Sequence, residues 1–155
     1  MRLTEFLSES MIKIPLEGRT KNEVLRELVE LICRDQEDSV AEHVLHSVME
    51  RERLMSSGIG RGIGLPHGFS PNRMSFAAAL GVAPEPIPFD AIDGEPVNLV
   101  FLLVSDEEHL NTKLKALARV SRFLHREDFR NALGDSASPA DAMRVIAEEE
   151  SRHRI

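Results

Sequence analysis

The sequence lacks the features of secreted, disulfide-rich and membrane-spanning proteins. Its 155 residues include a single cysteine, Cys33, so no internal disulfide can form and a reducing compartment is indicated. Cys33 stands in an apolar helical run and is expected in the core. No window approaches about 18 uninterrupted apolar residues, and no basic segment followed by an apolar stretch stands at the N-terminus. A cytoplasmic protein without membrane insertion is therefore expected.

An excess of positive charge is also lacking, because 26 acidic residues outnumber 19 lysines and arginines and leave a net charge of −7. Nucleic acids and anionic membranes attract basic surfaces, so neither is expected as the main partner. Internal repeats, linkers and low-complexity tracts are absent. With 42% apolar residues, a chain of this length is expected to fold as one domain over residues 1–155, burying roughly two-thirds of its unfolded surface.

Strand-like patterns are mixed with helical ones and joined by connections of varied length, which predicts an α/β sandwich. Strands are predicted over residues 11–16, 75–82 and 97–104, and the last is so apolar that we expect it at the centre of the sheet. The charged tail, residues 148–155, is expected to fray. Helices are predicted over residues 3–7, 20–32, 39–53, 105–125 and 127–133 and from 138 onward, with Thr20, Ser39, Ser105 and Ser138 at their starts.

The run from Ser56 to Gly68 carries most of the functional information. Glycine occupies every second position from Gly58 to Gly64. In extended backbone alternate residues share a face, so one face would be bare main chain that a ligand or partner can approach closely. The run ends on Pro66-His67-Gly68, in which proline restricts the chain and glycine lets it turn. This pattern predicts one imidazole on a stiff loop, with four side chains on the opposite face: Ile59, Arg61, Ile63 and Leu65.

The common nucleotide-binding glycine motifs do not fit this run. Neither G-x-G-x-x-G nor G-x-x-x-x-G-K-[ST] matches the spacing. The residues alone leave two interpretations open, a glycine-rich connection with an incidental histidine and a loop that presents a functional imidazole.

Residues 60–67 resemble the active-site loop of the IIA domains of the bacterial phosphotransferase system, in the fructose–mannitol–nitrogen class. The signature of that loop is G-x-x-[IV]-A-[IVL]-P-H, and Gly64 stands where the family usually has alanine. Residues 49–54 are similar to the family's Arg-Glu segment, and residues 86–97 to its acidic turn before a central strand. The resemblance covers nearly the whole chain and implies a mixed β-sheet flanked by helices on both faces.

The resemblance implies that His67 accepts a phosphoryl group covalently, without a bound cofactor. Imidazole is nucleophilic and largely neutral near pH 7, and cationic neighbours stabilise the charged product. Arg51 matches the family's phosphate-proximal arginine, although a solvated residue at a helix end is the alternative. Ser57 matches a hydroxyl at the loop mouth and is equally interpretable as a turn residue. The expected loop residues are Gly60, Gly62, Gly64, Pro66 and Gly68.

The chain departs from the family at its second histidine, early on the helix after the central strand. Aligning the apolar rhythm from Leu114 to Leu124 with that of the family implies that Lys113 stands at that position, where its ammonium can pair with phosphate as a point charge. His109 lies one helical turn earlier on the same face and is a weaker candidate. His43 and His46 have the spacing of a metal pair, but no third ligand accompanies them and no metal is expected.

The resemblance implies an HPr-type phosphocarrier as donor and a IIB domain or a regulatory target protein as acceptor. Two phosphocarrier roles stay open, regulation as in the nitrogen branch and sugar uptake, and whether such a carrier counts as an enzyme stays open too. A chain of this length without attached IIB or membrane segments favours regulation. A third alternative is a binding module of the same fold that has lost catalysis, which the departure at Lys113 keeps open.

Overall fold

The computed structural model describes residues 1–71 and 74–153. Two helices follow the first strand, the other five strands come next in succession, and three α-helices follow them. The strands are β1 (Ile12–Lys13), β2 (Gly58–Gly60), β3 (Ile63–Gly64), β4 (His67–Phe69), β5 (Phe76–Ile87) and β6 (Val97–Ser105). The α-helices are α1 (Leu3–Phe6), α2 (Lys21–Ile32), α3 (Asp38–Leu54), α4 (Leu110–Leu124), α5 (Glu127–Gly134) and α6 (Pro139–Arg152). Short 3-10 turns over Glu9–Met11 and Glu107–His109 precede β1 and α4.

The strands form one mixed sheet around β6. Their order is β1-β5-β6-β3-β2, and β4 also pairs with β6. Strand β6 is antiparallel to β5 and parallel to β3 and β4. Every residue of β6 except Asn98 is buried, which confirms the prediction of a central strand. Strand β1 is shorter than predicted, since Pro15 has no N–H for the ladder, and β5 is longer.

Helices cover both faces of the sheet. On one face α2 and α3 pack on β5 and β6 through side chains such as Leu25 and Val48. On the other face the remaining helices pack through side chains such as Val120 and Ile146. Burying each of these side chains contributes about 1.5–3 kcal/mol. The two layers confirm the predicted α/β sandwich with helices on both faces. Within the described part of the chain, no helix has the length and apolar character needed to span a bilayer.

Two predicted helix starts were wrong. Helix α3 begins at Asp38, so Ser39 lies inside its first turn. Ser105 is the last residue of β6 and is fully buried. The carboxylate of Asp106 instead accepts the N–H of His109 at 2.9 Å. The error at Ser105 arose because a serine beside an apolar run serves equally as a cap or as a strand end. At Ser39 the helix boundary lies slightly earlier, with Glu37 at the cap position. Two predicted caps are confirmed: Thr20 and Ser138.

The predicted fraying of the tail was wrong over the part that the structure describes. Helix α6 continues to Arg152, while residues 154–155 lie outside the described range. Glu150 is buried and accepts the backbone N–H groups of Leu3 and Thr4 at 2.5 and 3.2 Å. This carboxylate ties the end of the chain to its beginning, a contact between residues too distant in sequence for local pattern to reveal.

Candidate phosphoryl-transfer site

The glycine-rich segment forms an antiparallel hairpin of β2 and β3. The φ angles over residues 60–62 are 100°, 59° and 80°, in the left-handed region that glycine adopts readily. The prediction of one bare glycine face was wrong, because alternate glycines suit a left-handed turn as well as extended backbone. Ile59 and Arg61 are exposed, whereas Ile63 and Leu65 are buried.

His67 lies on a strand, not on the predicted loop. It is the first residue of β4 and pairs with Leu103 of β6. The carbonyl of Pro66 accepts the N–H of Leu103 at 3.1 Å. A Cβ on Gly68 would lie 2.7 Å from Cγ2 and 3.0 Å from the backbone nitrogen of Val48. Glycine at position 68 therefore lets β4 pack directly on α3, and the backbone that carries the imidazole is held between α3 and the central strand.

The half-buried His67 opens onto a cavity of about 210 Å³ between α3, β4 and α4. Two cationic side chains, Arg51 from α3 and Lys113 from α4, line it together with Ser47. With Gly68, the structure thus brings four of the predicted site residues into one space. The rest of the wall is largely apolar: Phe69, Leu110, Leu114 and Leu117.

Arg51 reaches the cavity from the last turn of α3. Its Nη1 donates to the carbonyl of Met55 at 2.9 Å. A guanidinium carries five N–H donors, so this bond leaves capacity for an anion. The side chain thus lines the cavity and also bonds a carbonyl just beyond the helix end, and its role beside a phosphoryl group stays a prediction.

Lys113 is buried beside the cavity, with 4% of its surface exposed. Its Nζ donates to the carbonyl of Gly68 at 2.9 Å and lies 3.5 Å from the centroid of the Phe69 ring. Burial lowers the pKa of this ammonium from 10.5 to about 8. At pH 7 the group is still mostly charged. The leucine register correctly placed Lys113 next to His67, while its role in transfer stays a prediction.

The environment of His67 favours the neutral ring. Its pKa is lowered from 6.5 to about 4, first by burial and then by the charges of Lys113 and Arg51, whereas the charge of Glu52 acts in the opposite direction. The imidazole is therefore unprotonated at pH 7. A neutral ring has a nitrogen lone pair available for bond formation.

Ser57 lies next to the site without lining the cavity. Its N–H donates to Oε1 of Glu52 at 2.8 Å, and its carbonyl accepts the N–H of Leu65 at 3.0 Å. Its hydroxyl is buried and has no hydrogen-bond partner among the described residues. Nearby, a Cβ on Gly64 would lie 2.9 Å from Cε2 of Phe89. The Phe89 ring occupies the space that an alanine methyl at position 64 would need.

His109 lies outside the cavity. Its Nδ1 is 2.7 Å from Oδ1 of Asp106, and it lines a separate groove with His43 and His46. This placement agrees with its weaker standing as a candidate. Across residues 1–71 and 74–153, no three or more His, Cys, Asp or Glu side chains are grouped as a metal site.

Sequence reasoning missed three residues of this region. Glu52 is buried, and its Oε1 lies 2.9 Å from Nζ of Lys21. Ser47 Oγ accepts the N–H of Phe69 at 2.8 Å, and Phe69 lies beneath the ammonium of Lys113. The position of Glu52 within the Arg-Glu segment was an available signal. Neither Ser47 nor Phe69 stands in a local pattern that indicates its place.

The sequence model of one family, described as "Phosphoenolpyruvate-dependent sugar phosphotransferase system, EIIA 2", matches residues 5–149. The chain is 32% identical over 146 residues to a nitrogen regulatory protein of Pseudomonas aeruginosa, covering 94% of each. It is 31% identical over 146 residues to the fructose-specific EIIABC component of Bacillus subtilis. That match covers 94% of this chain but only 23% of the larger relative.

Solved structures share the fold. The nitrogen regulatory protein IIA-Ntr of Neisseria meningitidis aligns with a TM-score of 0.80 and 25% identity, covering 92% of this chain and 97% of that one. Enzyme IIAMTL of Escherichia coli, in a complex with phosphorylated enzyme IIBMTL, aligns with a TM-score of 0.75 and 17% identity over 92% and 97% of the two chains. Family match, relatives and fold agree with the motif around His67, and the chain belongs to the EIIA type 2 family of the phosphoenolpyruvate-dependent sugar phosphotransferase system.

Proposed function

We propose that the chain is a phosphocarrier that accepts a phosphoryl group on His67 from a phosphorylated HPr-type protein. The observation that carries this proposal is a neutral imidazole facing a cavity that is also lined by two cationic side chains, Arg51 and Lys113. A carried phosphoryl group adds about two negative charges. Burial and these two cations favour the unprotonated ring before transfer, and the same two cations would stabilise the charged product after it.

In the proposed step the lone pair of a His67 ring nitrogen forms a bond to phosphorus. The bond between phosphorus and the donor breaks at the same centre, and its electron pair stays with the donor. The protein contributes position and charge. An apolar rim suits a docking protein, and three side chains at the mouth of the cavity are exposed by 38–51%: Phe69, Leu110 and Leu114.

Regulation is the role we favour within this proposal, with the phosphoryl group carried covalently, without a cofactor, in the cytoplasm. The nitrogen regulatory protein of P. aeruginosa matches along 94% of its length. Sugar uptake, with onward transfer to a IIB domain, is the alternative, and the fructose-specific relative of B. subtilis supports it. Mixing the phosphorylated chain with a fructose-type IIB domain distinguishes the two, since fast transfer to that domain supports uptake.

The proposal is tested by labelling with phosphoenolpyruvate, enzyme I and an HPr-type carrier. The wild-type chain should gain an acid-labile, base-stable phosphoramidate. His67→Ala should fold but remain unlabelled. His109→Ala is the matched control and should be labelled like the wild type, because that ring pairs with Asp106 outside the cavity. Undiminished labelling of His67→Ala, or no labelling of the wild type, contradicts the proposal.

A further inference from the structure

A buried carboxylate lies between two parts of the phosphoryl site. Glu52 follows Arg51 in α3 and is 7% exposed. Its Oε1 accepts the N–H of Ser57 at 2.8 Å, and Nζ of Lys21 lies 2.9 Å from the same oxygen. Glu52 thus connects α3, to which it belongs, with the segment that follows this helix and with the start of α2.

The charge of Glu52 opposes the chemistry proposed for the site. It raises the pKa of His67 against the effect of Lys113 and Arg51, and it would repel a phosphoryl group on the ring. Burying a carboxylate is also unfavourable until its partners offset the loss of hydration. The presence of Glu52 beside the site is therefore better explained by its holding neighbouring groups in place than by an effect of its charge on transfer.

Hydrogen bonds lead from Glu52 toward His67. The carboxylate holds the N–H of Ser57, and the carbonyl of Ser57 accepts the N–H of Leu65 at 3.0 Å. Leu65 is two residues before His67, and Pro66 between them restricts the backbone on both sides. Pairing with β6 holds β4 from one side, and the bond from Ser57 to Leu65 fixes the chain that enters β4 at His67. A shift of Ser57 relative to α3 would act on the imidazole through this entry and change its placement relative to Arg51, the sequence neighbour of Glu52.

Lys21 anchors the carboxylate from the first position of α2. Its side chain is 16% exposed, and Nζ lies 5.1 Å from the centroid of the Phe89 ring. The carbonyl of Phe89 accepts the hydroxyl of Ser56 at 2.8 Å. The two residues that lead into the hairpin, Ser56 and Ser57, are thus fixed at one corner of the molecule.

We infer that Glu52, anchored by Lys21, is a positioning residue that holds Ser57 and thereby keeps the imidazole of His67 within reach of Arg51. The inference rests on the proposed phosphoryl transfer at His67. The positioning role of Glu52 can be tested apart from its charge. Its Oε1 makes both contacts, while Oε2 has no hydrogen-bond partner among the described residues. The amide oxygen of glutamine can accept both bonds without the charge.

The test compares Glu52→Ala and Glu52→Gln, with Glu50→Ala as the matched control. Glu50 lies one residue before Arg51, and its carboxylate pairs with Arg53 at 2.7 Å on the surface. The phosphorylation rate at saturating HPr-type donor and the half-saturating donor concentration are measured and normalised to the folded fraction. Glu52→Ala should lower the saturated rate about 10- to 100-fold, and half-saturation should not change because the buried residue does not touch the donor.

The conservative variant should recover most of the rate. The saturated phosphorylation rate of Glu52→Gln should remain within about fivefold of the wild-type rate. Glutamine keeps the bond to Ser57, so the imidazole is not displaced, and displacement is what slows transfer most. Glu50→Ala should be unchanged. If Glu52→Ala does not fold, Lys21→Met removes the anchor and should show the same loss. A normal saturated rate in the folded variant, or equal losses for the glutamine and alanine variants, overturns the inference.

Amide hydrogen exchange tests the same inference without phosphorylation. The Leu65 amide should exchange about tenfold faster in Glu52→Ala than in the wild type, because loss of its partner's anchor lets this segment open locally. The Leu16 amide, bonded to the carbonyl of Val82 at 2.9 Å, should be unaffected. Unchanged Leu65 exchange also overturns the inference. If the wild-type chain accepts no phosphoryl group, the proposed function fails, while Leu65 exchange still decides whether Glu52 holds this segment.

Discussion

Two buried charged side chains, one near the chain termini and one at the phosphoryl site, are used in different ways. Glu150 of α6 accepts three hydrogen bonds from the start of α1, two from backbone N–H groups and one from the hydroxyl of Thr4. Lys113 of α4 donates to the carbonyl of Gly68 and lies over the ring of Phe69. Among the described residues, that carbonyl is its one hydrogen-bond partner.

The difference distinguishes a charge that stabilises the fold from a charge available for chemistry. Both oxygens of Glu150 are engaged, which is how buried polar groups contribute to stability. An ammonium has three N–H donors, and that of Lys113 borders a cavity with part of its capacity unused. We therefore expect Glu150 to govern stability without affecting transfer, and Lys113 to govern transfer with little effect on stability.

The largest expected effect is the loss of stability in Glu150→Ala. Three donors at the start of α1 would lose their acceptor, which should cost about 2–3 kcal/mol. Urea unfolding measures this free energy. The folded variant should be phosphorylated at the wild-type rate, because α1 and α6 do not line the cavity. A slower phosphorylation rate in the folded variant would contradict the claim that Glu150 acts on stability alone.

Lys113→Met should have the opposite profile. Phosphorylation should slow about tenfold, since one of two cations facing the product is lost. The pKa of His67 should rise from about 4, because the charge of Lys113 opposes protonation of the ring. The free energy of unfolding should change by less than about 1 kcal/mol, since methionine fills the space without a buried charge. A large stability loss with normal transfer would assign Lys113 to structure.

The smallest expected effect is a pH dependence of stability due to His67. Its pKa is lowered from 6.5 to about 4 on folding, so the unfolded chain binds more protons between these values and stability falls as pH falls through this window. Allowing for solvent at the half-open cavity, we expect a loss of about 1 kcal/mol between pH 7 and pH 5. The difference in unfolding free energy between wild type and His67→Gln isolates this contribution. If that difference is independent of pH, the ring is not held neutral.

Local pattern predicted the central strand, whereas the resemblance to the family was needed to interpret the motif around His67 and to place Lys113. Strand β6 was recognisable because burial on both faces requires a nearly continuous apolar run. Lys113 was located by the leucine register, although Leu114 is 51% exposed at the rim of the cavity. Helical spacing shows which residues of a helix lie side by side. Which of them face solvent depends on what the helix packs against, and the sequence of the helix alone does not show it.

The hairpin and the buried carboxylates were beyond local pattern. Arg61 has a φ of 59°, in the left-handed region. An arginine gives no sign of this conformation in the sequence, and the flanking glycines, which adopt positive φ readily, make the turn possible. Glu52 and Glu150 are charged, so propensity predicts exposure, and each is buried because tertiary structure supplies its partners. The Glu150 partners and the Lys21 partner of Glu52 lie on other elements, far away in the sequence. Ser57 is only five residues from Glu52, but its N–H is free to bond because the chain leaves the helix there.

The most direct test of a neutral phosphoryl-accepting imidazole is a long-range proton–nitrogen NMR spectrum of the full chain. The six histidines should give six imidazole signals, which are followed through a pH titration and then through phosphorylation by an HPr-type donor. We predict that the ring of His67 titrates near 4 and that it alone acquires the nitrogen shift of a phosphorylated imidazole. Phosphorylation of another ring, or titration of His67 near its ordinary value of 6.5, would contradict the account.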